Sequence, residues 1–361
     1  MTLANDIPLE LLPIILGHLQ WRTKDLASCA LVNKVWHKYA NPLLYARLFL
    51  RDQTRLIRVF RTLKENAHLA PLVHVLEIRV FPFGLQAESL EALEESILHT
   101  LQKAVNLEEL YWTRTGSLTD RVIPFLPVLP RLRTLELTGS SRFYTPSSVG
   151  KYLLDPKQTP QLKHFSILLP DRGVVAELPQ WCERMGSKLE SFSILCQHSA
   201  LITDSILIEA SQHLTGLKRL SLAGCKALMM PGVMALLKNS KYGIQDLAIE
   251  GLAMPPDCLP KIAQHLDQLH SLSLTFPRPA HSITHFWNHL TEMMESLPNI
   301  ENFTLYTSSW NTPRGTSKMV TETGLEDTWA THHKITEDMN LKNMQEVESR
   351  LYESQKWTLG F

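Results

Sequence analysis

Residues 217–225 read LKRLSLAGC, and this stretch decides the fold. Its apolar residues Leu217, Leu220 and Leu222 follow the order apolar, any, any, apolar, any, apolar. Leu220 and Leu222 are two residues apart, so in an extended chain they share one face, while Ser221 points to the other. The stretch therefore predicts a short β-strand with one core-facing side and one open side.

The same pattern recurs at intervals of about 28 residues, and the segments between its copies have helical periodicity. The other copies are Val73-Leu76-Ile78, Leu107-Leu110-Trp112, Leu132-Leu135-Leu137, Leu162-Phe165-Ile167, Leu189-Phe192-Ile194, Ile244-Leu247-Ile249, Leu269-Leu272-Leu274 and Ile300-Phe303-Leu305. Apolar spacing predicts helices near residues 206–214, 259–266 and 283–294. Because each strand–helix unit leaves an apolar edge that only a stacked neighbour covers, the pattern predicts an α/β solenoid with parallel strands on its concave face.

These motifs resemble the leucine-rich repeat family over residues 69–306, in about nine copies. The copy at 217–225, with its terminal Cys225, is similar to the cysteine-containing subclass of that family. The resemblance implies that Cys225 packs inside the turn after the strand, and a reactive thiol is the alternative.

Residues 7–48 do not follow the repeat. Apolar residues at helical spacing predict a first helix there, with a stripe formed by Leu11, Leu12, Ile15, Leu16 and Leu19. A second helix is expected after Thr23 or Asp25, a third element after Pro42, and a further amphipathic helix over residues 56–63. Since about 45 residues of short helices bury little surface alone, this segment is expected to leave apolar residues for a partner.

The N-terminal stretch resembles the F-box. The matching positions are Ile7-Pro8, Glu10-Leu11-Leu12, Ile15, Leu19, Asp25-Leu26, Cys29, Leu31-Val32, Lys34 and Trp36, followed by a continuation common in fungal members at His37, Ala40, Pro42, Leu43 and Tyr45. The resemblance implies docking onto the Skp1-like adaptor of a cullin-RING ubiquitin ligase. The residues implied to contact the adaptor are Pro8, Leu9, Leu12, Ile15, Leu31, Val32 and Trp36. The alternative for each of them is a place in the core of the segment itself.

Four regions are therefore expected: an F-box domain at 1–50, a linker helix at 51–68, the repeats at 69–306 and a C-terminal region at 307–361. The C-terminal region is interpreted as a cap over the apolar edge of the last repeat. The alternative is a tail that folds back over the concave face or meets a partner.

Strand residues that alternate with the core are the candidates for holding a protein target. They are Glu77, Glu109, Tyr111 and Glu136 in the early repeats, and Arg219, Asp246 and Tyr306 in the late ones. Recognition of a phosphorylated segment needs clustered arginines. On these strands only Arg79 and Arg219 occur, five strands or roughly 24 Å apart. The pattern predicts a target that is not read through a phosphate, with a basic segment facing the early acidic residues, and ordinary solvated surface is the alternative.

Composition narrows the class of protein. The chain has 361 residues, with 36 Lys+Arg, 36 Asp+Glu and 44% hydrophobic residues, so the formal net charge is zero and broad nucleic-acid binding is not expected. Its five cysteines form no CxxC pair, which argues against a disulfide framework or a thiolate zinc site and favours the cytoplasm or the nucleus. No stretch approaches the roughly 20 apolar residues of a membrane span, and no signal peptide is recognised.

No motif for catalysis is found: GxSxG, GxxxxGK[ST], HExxH and GxGxxG are all missing. The adjacent His332 and His333 would diverge on a helix or strand, so a metal site is not expected there. The sequence predicts a non-catalytic protein without cofactor or metal, and the F-box resemblance implies that it recruits a target to an SCF-type (Skp1–cullin–F-box) ligase. The alternatives are a leucine-rich repeat scaffold outside any ligase and, more remotely, an enzyme with an unrecognised site.

Overall fold

The structure is a computed structural model, which describes residues 7–126, 129–139, 162–185, 188–196, 199–252, 255–275, 283–297 and 299–306. The predicted C-terminal region at 307–361, with His332 and His333, lies outside the described residues. The chain divides into two compact units, Met1–Leu168 and Leu169–Phe361.

The first unit begins with short helices and continues with strands that alternate with helices or turns. Its elements are a 3-10 turn at Leu9–Leu11, α1 (Leu12–Gly17), α2 (Thr23–Ala30), α3 (Lys34–Ala46), β1 (Arg47–Leu50), α4 (Gln53–Glu65), a 3-10 segment at Ala67–Leu72, β2 (Val75–Ile78), α5 (Ala87–Lys103), β3 (Glu109–Trp112), a 3-10 turn at Ile123–Phe125, β4 (Thr134–Thr138) and β5 (His164–Leu168). Strands β1 to β5 pair in parallel in chain order. Leu76, Leu110, Leu135 and Phe165 occupy one row of the register and are buried.

The second unit repeats the same alternation. Its elements are α6 (Arg172–Met185), β6 (Ser191–Leu195), α7 (Asp204–Ser211), β7 (Arg219–Ala223), α8 (Met230–Asn239), β8 (Asp246–Glu250), α9 (Cys258–Ala263), β9 (Ser271–Thr275), α10 (Ile283–Glu295) and β10 (Asn302–Tyr306). Strands β6 to β10 are parallel and again in chain order. The predicted α/β repeat architecture after a short helical N-terminus is confirmed, and each of the nine sequence motifs coincides with a strand from β2 to β10.

Strand β1 is one more repeat strand than the sequence analysis predicted. It places Leu48 and Leu50 in the core, at 4% and 0% exposure. The apolar spacing of Tyr45, Leu48 and Leu50 matches the repeat pattern, and Leu48 lies 28 residues before Leu76. The repeat spacing is therefore present in the sequence here, but it lies inside the stretch that resembles the F-box and was assigned to that domain.

Helix α3 begins earlier than predicted and contains Pro42, which was expected to precede the third element. The side chain of Asn33 fixes the start by accepting hydrogen bonds from the backbone N–H groups of Val35 and Trp36, both at 2.9 Å. An internal proline costs about 3 kcal/mol in a helix. Burial of Trp36 and Ala40 on the same helix offsets this cost.

Cys225 is a structural residue, as the sequence predicts. Its side chain is fully buried in the turn after β7, where Sγ lies 3.5 Å from the carbonyl oxygen of Ala223. A hydrogen bond with Cys196, together with desolvation, raises the pKa of Cys225, which keeps the thiol protonated. All five cysteines are free thiols.

Gly232 provides a test of how closely successive repeats pack in the second unit. Its N–H donates to Asp204 Oδ1 at 2.9 Å, and an added Cβ would lie 2.7 Å from both Asp204 Oδ1 and Leu228 Cδ1. Replacing glycine by alanine inside a helix normally stabilises by about 1 kcal/mol, but this clash outweighs that gain. We expect Gly232→Ala to lower the free energy of unfolding by about 1–2 kcal/mol, as measured by urea denaturation.

Gly17→Ala is the matched control for that substitution. Nothing lies within 4 Å of a Cβ at Gly17, so this variant should be as stable as the parent or slightly more so. Equal stability of the two glycine variants would contradict the described packing of α7 against α8.

Candidate functional site

The N-terminal helices enclose a small core of their own. Its buried members are Leu12, Leu16, Leu26, Ala30, Trp36 and Ala40. Ile7, Leu19, Cys29, Tyr39, Leu43 and Leu44 pack against this cluster and are partly buried. Three short helices therefore hold together around side chains drawn from each of them, and the remaining apolar residues of the segment face outward.

Hydrogen bonds fix the turn between α2 and α3. The ring of His37 donates from Nδ1 to the carbonyl oxygen of Ala30 at 3.2 Å, and Asn41 Nδ2 donates to His37 Nε2 at 2.8 Å. These bonds join the end of α2 to the first turns of α3. The turn between them presents Leu31 and Val32 to solvent, at 85% and 46% exposure.

Exposed apolar side chains concentrate on this segment. Of the thirteen large hydrophobic side chains exposed in the described part of the chain, eight lie between residues 9 and 35. We call these eight the apolar patch: Leu9, Leu11, Ile14, Ile15, Trp21, Leu31, Val32 and Val35. Since soluble proteins rarely expose so many apolar residues in a short segment, the patch has the composition of an interaction surface.

A second candidate site lies on the strands of the first unit and consists of Arg51, Glu77, Arg79 and Glu136, here called the strand-face cluster. Glu77 is only 6% exposed and accepts from Arg79 Nε at 2.8 Å and from Arg51 Nη2 at 3.2 Å. The same Arg79 places Nη1 3.5 Å from Glu136 Oε1 and donates to Thr113 Oγ1 at 2.9 Å. Two arginines thus neutralise carboxylates that the sequence presented as an acidic strip.

Burial sets the protonation of the neighbouring groups on these strands. Desolvation raises the pKa of Glu136 and Glu77 raises it further, while Arg79 and a hydrogen bond from Ser166 lower it. Tyr111 donates its hydroxyl hydrogen to Glu109 Oε2 at 2.8 Å, and desolvation together with this bond raises its pKa. At neutral pH Tyr111 is therefore a neutral hydrogen-bond donor beside a carboxylate.

The F-box-like family matches residues 4–51 of the chain. The N-terminal segment is an F-box-like domain. Over 81% of its length the chain is similar to 84% of a chain in the crystal structure of the Rad7 and Elc1 complex in yeast, with 16% identity and a TM-score of 0.42. It is also similar to the leucine-rich repeat-containing protein LegL7 from Legionella pneumophila, with 12% identity, a TM-score of 0.46, and coverage of 78% of this chain and 95% of that one. No curated protein matches the chain.

The F-box-like domain exposes five of the seven residues implied to contact an adaptor: Pro8, Leu9, Ile15, Leu31 and Val32. The other two, Leu12 and Trp36, are 1% and 8% exposed and form its core. In the structure these two side chains lie beneath the exposed residues and contribute little solvent-accessible area to the surface. Contact of Leu12 and Trp36 with an adaptor stays a prediction.

Four members of the apolar patch were not among the residues implied to contact an adaptor: Leu11, Ile14, Trp21 and Val35. The sequence analysis placed Leu11 in one apolar stripe with Leu12 and Leu16, whereas the structure buries Leu12 and Leu16 and exposes Leu11. Trp21 is 63% exposed, and the guanidinium of Arg47 lies 4.8 Å from its ring centroid. Helical periodicity does not identify these residues, because α1 is apolar on more than one face.

The late candidates occupy the second unit. Arg219 is exposed on β7 and lies opposite the half-buried Asp246 of β8 in the parallel register. Tyr306 is the last residue of β10, and its side chain lies outside the described residues. The register thus brings Arg219 and Asp246 together as neighbours of opposite charge.

Two further observations concern other kinds of site. Among the described residues, no group of three or more His, Cys, Asp or Glu side chains is arranged to hold a metal ion. In the same part of the chain, no helix is both long and apolar enough to cross a membrane.

Proposed function

We propose that this protein is a substrate-recognition subunit of a cullin-RING ubiquitin ligase of the SCF type. In this role the F-box-like domain binds a Skp1-like adaptor, and the repeats hold the protein to be ubiquitinated. The single observation that carries the proposal is the apolar patch on a domain that matches the F-box-like family.

Exposure supports the proposed contact surface for the adaptor. Leu31 and Val32 project from the turn between α2 and α3, while Leu9 and Ile15 belong to the start of the domain. Burying an exposed leucine or valine side chain against a partner is worth about 1.5–3 kcal/mol. A few such residues near the centre of an interface supply most of its binding energy.

The proposed role requires no bond chemistry from this chain. Holding a target lysine near a ubiquitin carrier accelerates transfer through proximity, because a bimolecular encounter becomes effectively intramolecular. We therefore propose that the chain is not an enzyme and works through its two binding surfaces.

We propose that the target is read without a phosphate. Both arginines of the strand-face cluster are engaged: Arg79 contacts Glu77, Thr113 and Glu136, and Arg51 contacts Glu77. A phosphate entering here would have to displace buried carboxylates from these arginines, which is costly. The neutral hydroxyl of Tyr111 and the mixed charges around it suit an uncharged polar or mixed-charge peptide.

Co-elution of the full chain with a purified Skp1-type adaptor tests the proposal. We expect a stable one-to-one complex in size-exclusion chromatography. A chain that stays apart from the adaptor, yet retains the circular dichroism of a folded α/β protein, would contradict the ligase role and favour a repeat scaffold outside a ligase.

A further inference from the structure

Helix α4 carries a basic surface that the proposed function does not use. Residues 47–64 contain six Lys or Arg and one acidic residue, although the chain as a whole has no net charge. Leu56, Phe60 and Leu63 are the buried side of α4. Arg55, Arg58 and Arg61 lie on its exposed side, three residues apart, and are here called the basic face of α4.

The arginines of the basic face differ from the other cations near them. Arg51 is held by Glu77 at 3.2 Å, and Lys64 lies 3.5 Å from Glu95. Among the residues that the structure describes, none forms a hydrogen bond or ion pair with the guanidinium of Arg55, Arg58 or Arg61. Like charges at this helical spacing destabilise a helix. Three such charges in a row are therefore explained better by binding than by folding.

A depression adjoins the basic face at the first turn of α4. It has a volume of about 360 Å³ and is lined by Phe49, Arg51, Asp52 and Arg55. The carboxylate of Asp52 is already engaged, because it accepts from the backbone N–H of Arg55 at 2.8 Å. The depression therefore offers an aromatic wall beside Arg55, which suits a side chain that neighbours an acidic residue.

We propose that the basic face of α4 and this depression bind an acidic peptide segment of a partner protein. Successive arginines of the basic face are displaced by about 4.5 Å along the helix axis. This spacing matches carboxylates at three- and four-residue intervals on a facing helix, each within reach of one guanidinium. Arginine favours such pairing because its planar group binds carboxylates in a bidentate manner.

Two other polyanions fit the surface less well. Single-stranded nucleic acid binds along a longer cationic groove lined with several aromatic side chains, whereas the basic face has three arginines and the adjoining depression is lined by one aromatic residue, Phe49. A membrane-binding helix inserts large apolar residues beside its cations. Within α4, all of whose residues the structure describes, no large apolar side chain is exposed.

Fluorescence anisotropy with the full chain tests the acidic-peptide site. The probe is a labelled, alanine-rich 16-residue peptide with Glu at three- and four-residue intervals. We expect binding that weakens with added salt, and a loss of at least about tenfold in affinity for the triple variant Arg55→Glu/Arg58→Glu/Arg61→Glu. The triple variant Arg55→Lys/Arg58→Lys/Arg61→Lys, which keeps the charge, should retain most of the affinity.

A matched control separates local recognition from net charge. Lys226, Lys238 and Lys241 are exposed in the second unit, so changing all three to Glu alters the net charge equally. This control should bind the peptide nearly as well as the parent. The proposal fails if the two charge-reversed variants lose affinity equally, or if the parent does not bind the peptide. It also fails if a single-stranded oligonucleotide or anionic vesicles bind the basic face more tightly than the peptide. None of these outcomes depends on adaptor binding.

Discussion

The double substitution Leu31→Glu/Val32→Glu should weaken binding of a Skp1-like adaptor by at least about 100-fold. Both side chains are exposed at the turn between α2 and α3, so the parent fold does not depend on their burial. In the complex, two carboxylates would replace apolar contacts and lose their hydration without a partner. A loss of about 2.8 kcal/mol corresponds to 100-fold, and central contacts of an interface commonly exceed 2 kcal/mol each. Isothermal titration calorimetry measures the change directly.

Val105→Glu is the control for this experiment. Val105 is 47% exposed, close to the 46% of Val32, and it lies in the same unit just after α5. Its substitution adds the same chemistry outside the F-box-like domain and should leave adaptor affinity within about twofold. Unchanged binding by the double variant, or an equal loss for Val105→Glu, would contradict a docking surface centred on Leu31 and Val32.

The second large effect is expected from Arg79→Ala, which should lower the free energy of unfolding by about 3 kcal/mol at pH 7.5. Removing one partner of a buried ion pair leaves an uncompensated charge and typically costs 3–5 kcal/mol. Among the described residues, Glu77 then keeps Arg51 as its partner of opposite charge, while Glu136 loses its contact with Arg79. The partial exposure of Arg79 places the expected value at the lower end of that range.

The cost of Arg79→Ala should shrink as the pH falls. Desolvation already raises the pKa of Glu136 in the parent, and Arg79 opposes that rise. Without Arg79 the pKa of Glu136 in the folded state rises further. At pH values between the pKa of Glu136 in the unfolded state and its pKa in the folded state, the folded state then binds more protons than the unfolded state. The free energy of unfolding of Arg79→Ala therefore increases as the pH falls through the folded-state pKa of Glu136, and it decreases as the pH rises through that pKa.

Urea denaturation of Arg79→Ala at pH 7.5 and at about pH 5 measures this dependence. The difference from the parent should be clearly smaller at the lower pH. Arg131→Ala is the control, because Arg131 is exposed just before β4 and its removal should cost no more than about 0.5 kcal/mol at either pH. An equal loss for Arg79→Ala at both pH values would contradict the proposal that Arg79 lowers the pKa of Glu136.

Strand positions could be read from the sequence because the repeat imposes a strict spacing. In the copy at Leu217, Leu220 and Leu222, two core residues alternate with an outward one, and only a strand buries that pattern on one face. Strand β1 carries the same spacing. Because β1 lies inside the stretch that resembles the F-box, the sequence analysis assigned Leu48 and Leu50 to the helical domain and not to the repeats.

Interface and core could not be separated by the sequence in the F-box-like domain. Leu12 and Ile15 are both apolar residues of α1, yet one is 1% and the other 37% exposed. Which face of α1 is covered depends on how α2 and α3 pack against it, and that is a tertiary property. Trp36 illustrates the same point, since its place in a family motif does not reveal that it is buried.

The strand-face cluster shows a further limit of sequence reasoning. Glu77 and Arg79 are two residues apart, so their contact on one face could have been anticipated. The approach of Arg51 to Glu77 could not, because it depends on β1 pairing beside β2. These contacts change an apparent acidic strip into a largely neutralised cluster.

Hydrogen–deuterium exchange of the full chain, with and without a Skp1-type adaptor, tests the central claim most directly. On binding, we predict slower exchange in peptides that cover residues 8–15 and 28–36, where seven of the eight residues of the apolar patch lie. Peptides from β2, β3 and β4 should exchange as in the free chain. Protection confined to the repeat strands, with residues 8–36 unaffected, would contradict the assignment of the F-box-like domain as the adaptor-binding surface.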